Sequence, residues 1–292
     1  MYSAIASNKR RSIFIMFLFI LVAVMLGWAL GLYFGDSSYI YFGLVYGVVY
    51  ALFSYYSADK VALMTSGARE IQKKDNPRLW RIVENLSITT GQPMPKVYIV
   101  DDSALNAFAT GRKPEASHVA FTSGLLDSLS DTEVEAVAAH ELGHIKNYDI
   151  RLMMVVLACV TAITIVSQFA LRMMWWGDDG DNNNSNPLMM IVGVVLIILA
   201  PFIGVLVQLA VSRRRELLAD ATGALTTRYP EGLISALEKI SQQGSALKKG
   251  NTATAHMYFS NPLKKGSFQK LLSTHPPIED RIAALKKMET SL

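Results

Sequence analysis

Cysteine is nearly absent from this chain of 292 residues: Cys159 stands alone inside an apolar run. A single cysteine excludes an internal disulfide and leaves no thiolate cluster for a metal. That fits a catalytic domain in a reducing compartment. Charge is scarce as well. Asp, Glu, Lys and Arg make up 18% of the chain, against roughly 25% in soluble domains. The net charge of +4 is too small, and the basic residues too dispersed, for a nucleic-acid surface. No internal repeat and no long low-complexity tract occurs. In place of charge the chain has apolar side chains, 51% of the total, and four uncharged runs account for the excess.

A helix needs about 20 apolar residues to cross the hydrocarbon core. Ser12 to Gly35 and Ser37 to Ala58 each contain no charge, and only Asp36 divides them, so they read as a tight helical hairpin. Leu152 to Leu171 and Leu188 to Ser212 form a second pair, split by the polar run Asp178-Asp179-Gly180-Asp181-Asn182-Asn183-Asn184. The second pair reads either as two spans or as a hydrophobic hairpin buried in protein. Lys9, Arg10 and Arg11 precede the first run as in a signal peptide, but the run is too long and no small-x-small cleavage site follows. It reads as an anchor. Basic residues lie before the first run, after the second (Lys60, Arg69, Lys73, Lys74) and after the fourth (Arg213, Arg214, Arg215). The positive-inside rule then puts both termini and residues 59–151 in the cytoplasm. The runs hold almost no ionisable residues, which argues against a transporter.

Outside the runs the expected elements are mainly helical. Leu79, Ile82, Val83 and Leu86 give a helix over Arg78–Ile88, with Pro77 at its start. Lys96–Val100, Asn106–Thr110 and His118–Thr122 are strand candidates, the last two divided by a turn at Gly111-Arg112-Lys113-Pro114, so a sheet of about three strands is expected. Ser130 and Glu133 form a capping box that opens an amphipathic helix. Further helices are expected over Arg214–Leu225, Glu231–Gln242 and Ile278–Met288. The organisation is a membrane hairpin (1–58), a cytoplasmic part with the first motif (59–151), a second hairpin (152–212) and a closing cytoplasmic part (213–292).

The chemistry lies in His140-Glu141-Leu142-Gly143-His144. Residues four apart share a helix face, so two imidazoles can grip one Zn²⁺ at about 2.0–2.1 Å per bond. Glu141 stands beside them, able to reach a metal-bound water. A catalytic zinc needs a third protein ligand and an open position. Glu216, in Glu216-Leu217-Leu218-Ala219-Asp220, is the best candidate. Asp149 competes but sits at a poor angle on the motif's own helix. Metal-bound histidines hand their other N–H to a carboxylate, a role that suits Asp220. If the helix runs on unbroken, His144 stands about 12 Å before the third run at 1.5 Å per residue. With Glu216 just past the fourth run, the zinc centre would lie at the cytoplasmic membrane face.

These residues resemble those of the HtpX-type membrane metallopeptidases, relatives of the membrane prenyl-protein endopeptidases. The likeness covers nearly the whole chain: the N-terminal hairpin, Asn106-Ala107-Phe108, the His140–His144 motif, the second apolar pair, Glu216–Asp220, Ser273-Thr274-His275-Pro276-Pro277 and Glu279-Asp280-Arg281-Ile282. The resemblance implies a multi-pass protein of the bacterial cytoplasmic membrane, mainly α. About four transmembrane helices would carry a cytoplasmic gluzincin-like zinc peptidase domain with a small β-sheet. It implies one Zn²⁺ per chain and endopeptidase activity on damaged or misassembled membrane proteins, with self-cleavage. It also brings His275 near the active site as an oxyanion or substrate contact; a turn histidine held by Pro276 and Pro277 is the other reading.

In the mechanism expected from the motif, Glu141 takes a proton from the water and passes it to the leaving amine. Asn106-Ala107-Phe108 is a candidate edge strand to which an extended peptide could add, or an ordinary sheet strand. His118 and His256 read as solvated or packed histidines, and Arg213-Arg214-Arg215 as a lipid-headgroup contact, with a catalytic role for one of the three as the other reading. The partners expected are therefore polypeptide substrates and the bilayer. The alternative from another class is a non-catalytic zinc-binding membrane scaffold or adaptor, which needs the three ligands but not Glu141.

Overall fold

A computed structural model describes residues 2–176, 213–243, 247, 258–260 and 276–289. Two long antiparallel helices, α1 (Tyr2–Phe34) and α2 (Ser38–Ser66), form the expected hairpin. Ile5–Trp28 and Ser38–Ser66 are long and apolar enough to cross a membrane. The two backbones touch where Gly27 faces Tyr39 and Gly43 faces Ala23; a Cβ on either glycine would strike the opposite main chain. Small residues at such a crossing let helices associate where lipid offers no hydrophobic drive.

After α2 come β1 (Ala68–Glu70), α3 (Pro77–Thr90), β2 (Lys96–Val100), β3 (Ala107–Lys113), β4 (Ala116–Thr122) and α4 (Ser123–Ser128). They are followed by α5 (Asp131–Lys146), α6 (Asp149–Trp176), α7 (Arg213–Thr227), α8 (Pro230–Gln243) and α9 (Ile278–Glu289). The sheet is mixed, in the order β1-β2-β4-β3, with β2 and β4 parallel and the outer pairs antiparallel. Its side chains alternate between two cores, as the period of a strand requires. Val97, Ala109, Val119 and Phe121 face α3 and α5, with Val83, Val137, Leu142 and Leu237. Tyr98, Phe108 and Ala120 face the other way, onto Ala58, Ala62, Met153 and Leu157 of α2 and α6. The His140–His144 motif thus lies on a helix clamped under one face of the sheet, while α2 and α6 brace the other.

Several expectations need correction. The sheet has four strands, not three: Ala68-Arg69-Glu70 lacks β-branched residues and pairs only because Tyr98–Val100 offers it an edge. The strand at Asn106 runs on to Lys113, and the turn falls at Pro114-Glu115. Gly111, at φ 132°, takes up a register shift that a side chain would block. The helix carrying the motif is also broken. It ends at Lys146, Tyr148 adopts a left-handed φ of 59°, and a new helix starts at Asp149. The 12 Å estimate along one continuous helix therefore fails. The third apolar run lies in α6, and its residues Leu152 to Val160 are buried in the protein. The fourth run lies outside the described residues.

The capping box at Ser130 forms as expected. The Ser130 N–H donates to Glu133 at 2.8 Å, and Glu133 also accepts from Lys239 (2.7 Å) and Ser235 of α8. Burial alone would push the Glu133 carboxyl up, but Lys239, Ser235 and Ser130 outweigh it and hold it at about 2, below its ordinary 4.5. A carboxyl depressed on folding stabilises the fold above its unfolded value, and that contribution fades as pH drops from about 4.5 toward 2. Glu133→Gln should therefore speed hydrogen exchange at the Ser130 to Val134 amides roughly five- to tenfold at neutral pH, the scale of a lost cap. The same amides of the parent should open as pH falls through that window. Unchanged exchange in the Gln variant would show that the box contributes nothing.

Candidate metal centre and active site

His140 and His144 are one turn apart on α5, and both are buried beneath α7. Their Nε2 atoms face each other at 3.1 Å. Glu216, in the first turn of α7, brings Oε1 to 3.5 Å from His144 Nε2 and Oε2 to 3.9 Å from His140 Nε2. The three candidate ligand atoms lie within 4.8 Å of one another. Two ligands held at about 2.05 Å on a tetrahedral ion stand about 3.4 Å apart. The observed edges bracket that spacing, and two imidazole nitrogens with one carboxylate oxygen are a donor set zinc takes. The residues present fit a zinc ion.

The outer nitrogens are each tied down. His140 Nδ1 lies 2.8 Å from Asp220 Oδ1, and His144 Nδ1 lies 3.0 Å from Asp149 Oδ2. Both carboxylates hold the N–H on the outer nitrogen and so leave the Nε2 lone pairs for the centre. Burial carries His140 down to about 4, although Asp220 pulls the other way. Burial also presses on His144, but Glu216 and Asp149 outweigh it and raise it to about 9. For Asp220, burial is overcome by Arg281, which donates Nε and Nη2 to the two carboxylate oxygens at 2.8 and 2.6 Å, and the carboxyl stays well below its usual range.

Glu141, on the same helix, lies beside His144 and Glu216 and reaches the sheet. It is 1% exposed and accepts from the Ala109 N–H of β3. Burial is the main reason its carboxyl rises to about 7. A base poised near neutrality, next to but outside the ligand trio, is suited to moving a proton.

The structure therefore brings His140, His144, Glu216, Asp220 and Glu141 together. His275 lies outside the described residues, as does His256. Ala107 and Phe108 begin β3 at the sheet edge, with Asn106 just before them, but that edge is taken. The Phe259 N–H donates to Ala107 C=O at 2.8 Å, Phe108 bridges to Tyr258, and the Asn106 carboxamide accepts from Ser260 N–H (3.1 Å) and donates to Ser260 C=O (2.9 Å). Phe259 also stacks edge-on against His140, with ring centroids 4.9 Å apart.

Sequence reasoning missed three participants. The sequence offers Asp149 only as a competing ligand; the helix break at Asn147-Tyr148 turns it back onto His144 as a hydrogen-bond partner instead. Arg281 is 1% exposed and locks Asp220, and its only sequence signal was its place in Glu279-Asp280-Arg281-Ile282. Arg215 does not face lipid headgroups: it is buried, with Nε 3.8 Å from Asp149 Oδ1, whereas Arg213 and Arg214 are exposed. His118 is packed rather than solvated, pairing with Asp59 at 3.4 Å.

A model of peptidase family M48 matches residues 73–289. The chain is 51% identical to the protease HtpX homolog of Tropheryma whipplei (strain Twist) over 289 residues, covering 99% of this chain and 98% of that one. It is 44% identical to the protease HtpX homolog of Dictyoglomus thermophilum over 290 residues, 98% and 94% of the two chains. It is 43% identical to the protease HtpX homolog of Streptococcus pneumoniae (strain Hungary19A-6) over 298 residues, 99% and 100% of the two. Among solved structures, the crystal structure of S. mikatae Ste24p has a similar fold, with a TM-score of 0.51 at 17% identity, covering 98% of this chain and 67% of that chain.

Proposed function

The chain belongs to peptidase family M48 and is a membrane metallopeptidase, and we propose that it is a zinc endopeptidase cutting misassembled or damaged membrane proteins from the cytoplasmic side of the bacterial inner membrane. One observation carries the reading: two histidines and a glutamate converge in a buried site, with an uncoordinated carboxyl of raised pKa beside them. We assign His140, His144 and Glu216 as ligands of one Zn²⁺. Bound there, the ion would polarise a peptide carbonyl and acidify water.

The chain's own residues do the rest. Asp220 and Asp149 keep the ligand nitrogens aimed inward, and Arg281 holds Asp220 charged. Glu141 takes a proton from the attacking water and delivers it to the leaving amine. Asn106-Ala107-Phe108 serves as the peptide-binding edge. What supports this is that the Asn106 carboxamide already satisfies both backbone groups of one residue, Ser260, beside the backbone bond from Phe259 to Ala107. Pairing through backbone groups is tolerant of sequence, as a quality-control enzyme requires. A substrate strand takes that place only when Tyr258–Ser260 leaves it.

The topology rests on charge and on one contact. Lys9, Arg10 and Arg11 mark the N-terminal end of α1 as cytoplasmic, and that end touches the residues that hold His144. We further propose that the third and fourth apolar runs complete a four-helix membrane part around the soluble parts at 59–151 and 213–292. Inside-out membrane vesicles bearing the protein should cleave an added impermeant peptide. A chelator should abolish the cleavage and Zn²⁺ restore it, with one zinc bound per chain, and right-side-out vesicles should be inert. Full cleavage by metal-stripped protein would sink the zinc assignment, and cleavage by right-side-out vesicles the orientation.

A further inference from the structure

We infer that Asn8, on the first membrane helix, is a positioning residue for the metal centre: its carboxamide holds Asp149, and Asp149 holds His144. Asn8 is 4% exposed although it precedes Lys9-Arg10-Arg11 at the end of the apolar anchor. Its Nδ2 donates to Asp149 Oδ1 at 2.6 Å and to the Asn147 C=O at 2.9 Å. Both N–H bonds of one amide nitrogen are thus used on the two sides of the break between α5 and α6. The other oxygen of Asp149 reaches His144 Nδ1 at 3.0 Å. The relay from α1 to a proposed metal ligand is therefore two hydrogen bonds long.

Each link has a physical reason. The Asn147 carbonyl belongs to the end of α5, where helical partners run out. Asp149 is fully buried, and a buried polar group needs hydrogen-bond partners to hold its place. Tyr148 between them holds a left-handed φ of 59°, a conformation that persists only where its surroundings enforce it. Lys9 packs over the Tyr148 ring at 4.2 Å, a further contact between α1 and this junction beside those of Asn8. Arg215 approaches Asp149 Oδ1 at 3.8 Å, too far to replace the amide. The first membrane helix therefore does more than anchor the chain: its seating sets the direction in which His144 points.

The inference rests on His144 being a zinc ligand, so the parent enzyme is tested first. Zinc affinity is measured by chelator competition, and the Co²⁺-substituted protein by its electronic spectrum, on full-length protein in detergent. Loss of an outer hydrogen-bond partner of a ligand costs 10- to 100-fold in metal affinity or activity. Asn8→Ala should weaken zinc in that range, shift the Co²⁺ bands, and lower kcat with little change in KM. Asn8→Asp is isosteric but offers oxygen where Asp149 needs a donor, and should be at least as poor. Asn8→Gln restores a donor and should recover part of the affinity. Lys9→Leu removes the Tyr148 contact but keeps the relay, and should bind zinc within about twofold of the parent. If Asn8→Ala does not fold, the Asp and Gln variants carry the same comparison. Parental zinc affinity and an unshifted Co²⁺ spectrum in Asn8→Ala or Asn8→Asp would overturn the inference and leave the zinc assignment intact. A parent that binds no zinc through His144 would overturn the assignment itself.

Discussion

Glu141→Gln should reduce kcat by about 10²–10⁴, the range for removing a general base, while zinc content stays at one per chain. The substitution is nearly isosteric, and glutamine can still accept the Ala109 N–H that Glu141 accepts. It cannot take a proton. The loss corresponds to about 3–5 kcal/mol of transition-state stabilisation. Because Glu141 stands outside the group of His140, His144 and Glu216, metal binding and catalysis should separate cleanly in this variant. That separation is what distinguishes an enzyme from a scaffold. A protein that uses zinc only to hold its shape is indifferent to Gln at 141. Parental cleavage by zinc-replete Glu141→Gln would remove the residue from the mechanism.

The site was legible where its chemistry is local to one helix. His140, Glu141 and His144 lie within five residues, and the Ser130–Glu133 capping box shows where their helix begins. Glu216 and Asp220, four apart, could likewise be read as one helix face, and both lie on α7 (Arg213–Thr227), where a helix over Arg214–Leu225 is expected. The parts that were not legible depend on breaks and on long-range contacts. Nothing in Asn147-Tyr148-Asp149 announces a left-handed residue, because neither glycine nor proline is present. Yet that single φ moves Asp149 from the motif's own helix to the back of His144. Arg281 lies 61 residues beyond Asp220 and Asn8 lies 141 residues before Asp149, and no periodicity links such partners. The occupied edge of β3 is of the same kind: Asn106 and Ser260 are 154 residues apart. The burial of Arg215 shows the converse error. Three consecutive arginines suggested one shared role at headgroups, but a helix turns about 100° per residue, and only the third faces the centre.

Gly223→Val should weaken zinc roughly 10- to 100-fold and depress cleavage with it, although residue 223 is not one of the grouped candidate ligands. The position matters because α5 and α7 approach there main chain to main chain. A Cβ on Gly223 would stand 3.0 Å from His140 N, 3.2 Å from its Cα and 3.4 Å from Ala139 C. Those are backbone atoms of the helix that carries the motif, and they cannot rotate aside as a flexible side chain would. The remaining response is for α7 to move off, and α7 carries both Glu216 and Asp220. Overpacking of this sort costs about 1–3 kcal/mol, and 1.4 kcal/mol is a factor of ten in affinity. Gly223→Ala, with one methyl, should give the smaller end of that loss. Gly143 provides the contrast on the same interface. Its added Cβ would meet Ala219 O and Thr222 Cβ at 3.5 Å, ordinary contact, and alanine is the better helix former by up to about 1 kcal/mol. Gly143→Ala should therefore keep zinc and activity close to parental, even though it lies inside the peptidase motif. A zinc titration across the three variants decides the matter. Parental affinity in Gly223→Val would mean that α7 yields without moving Glu216, and that the ligand spacing is not set by this helix contact.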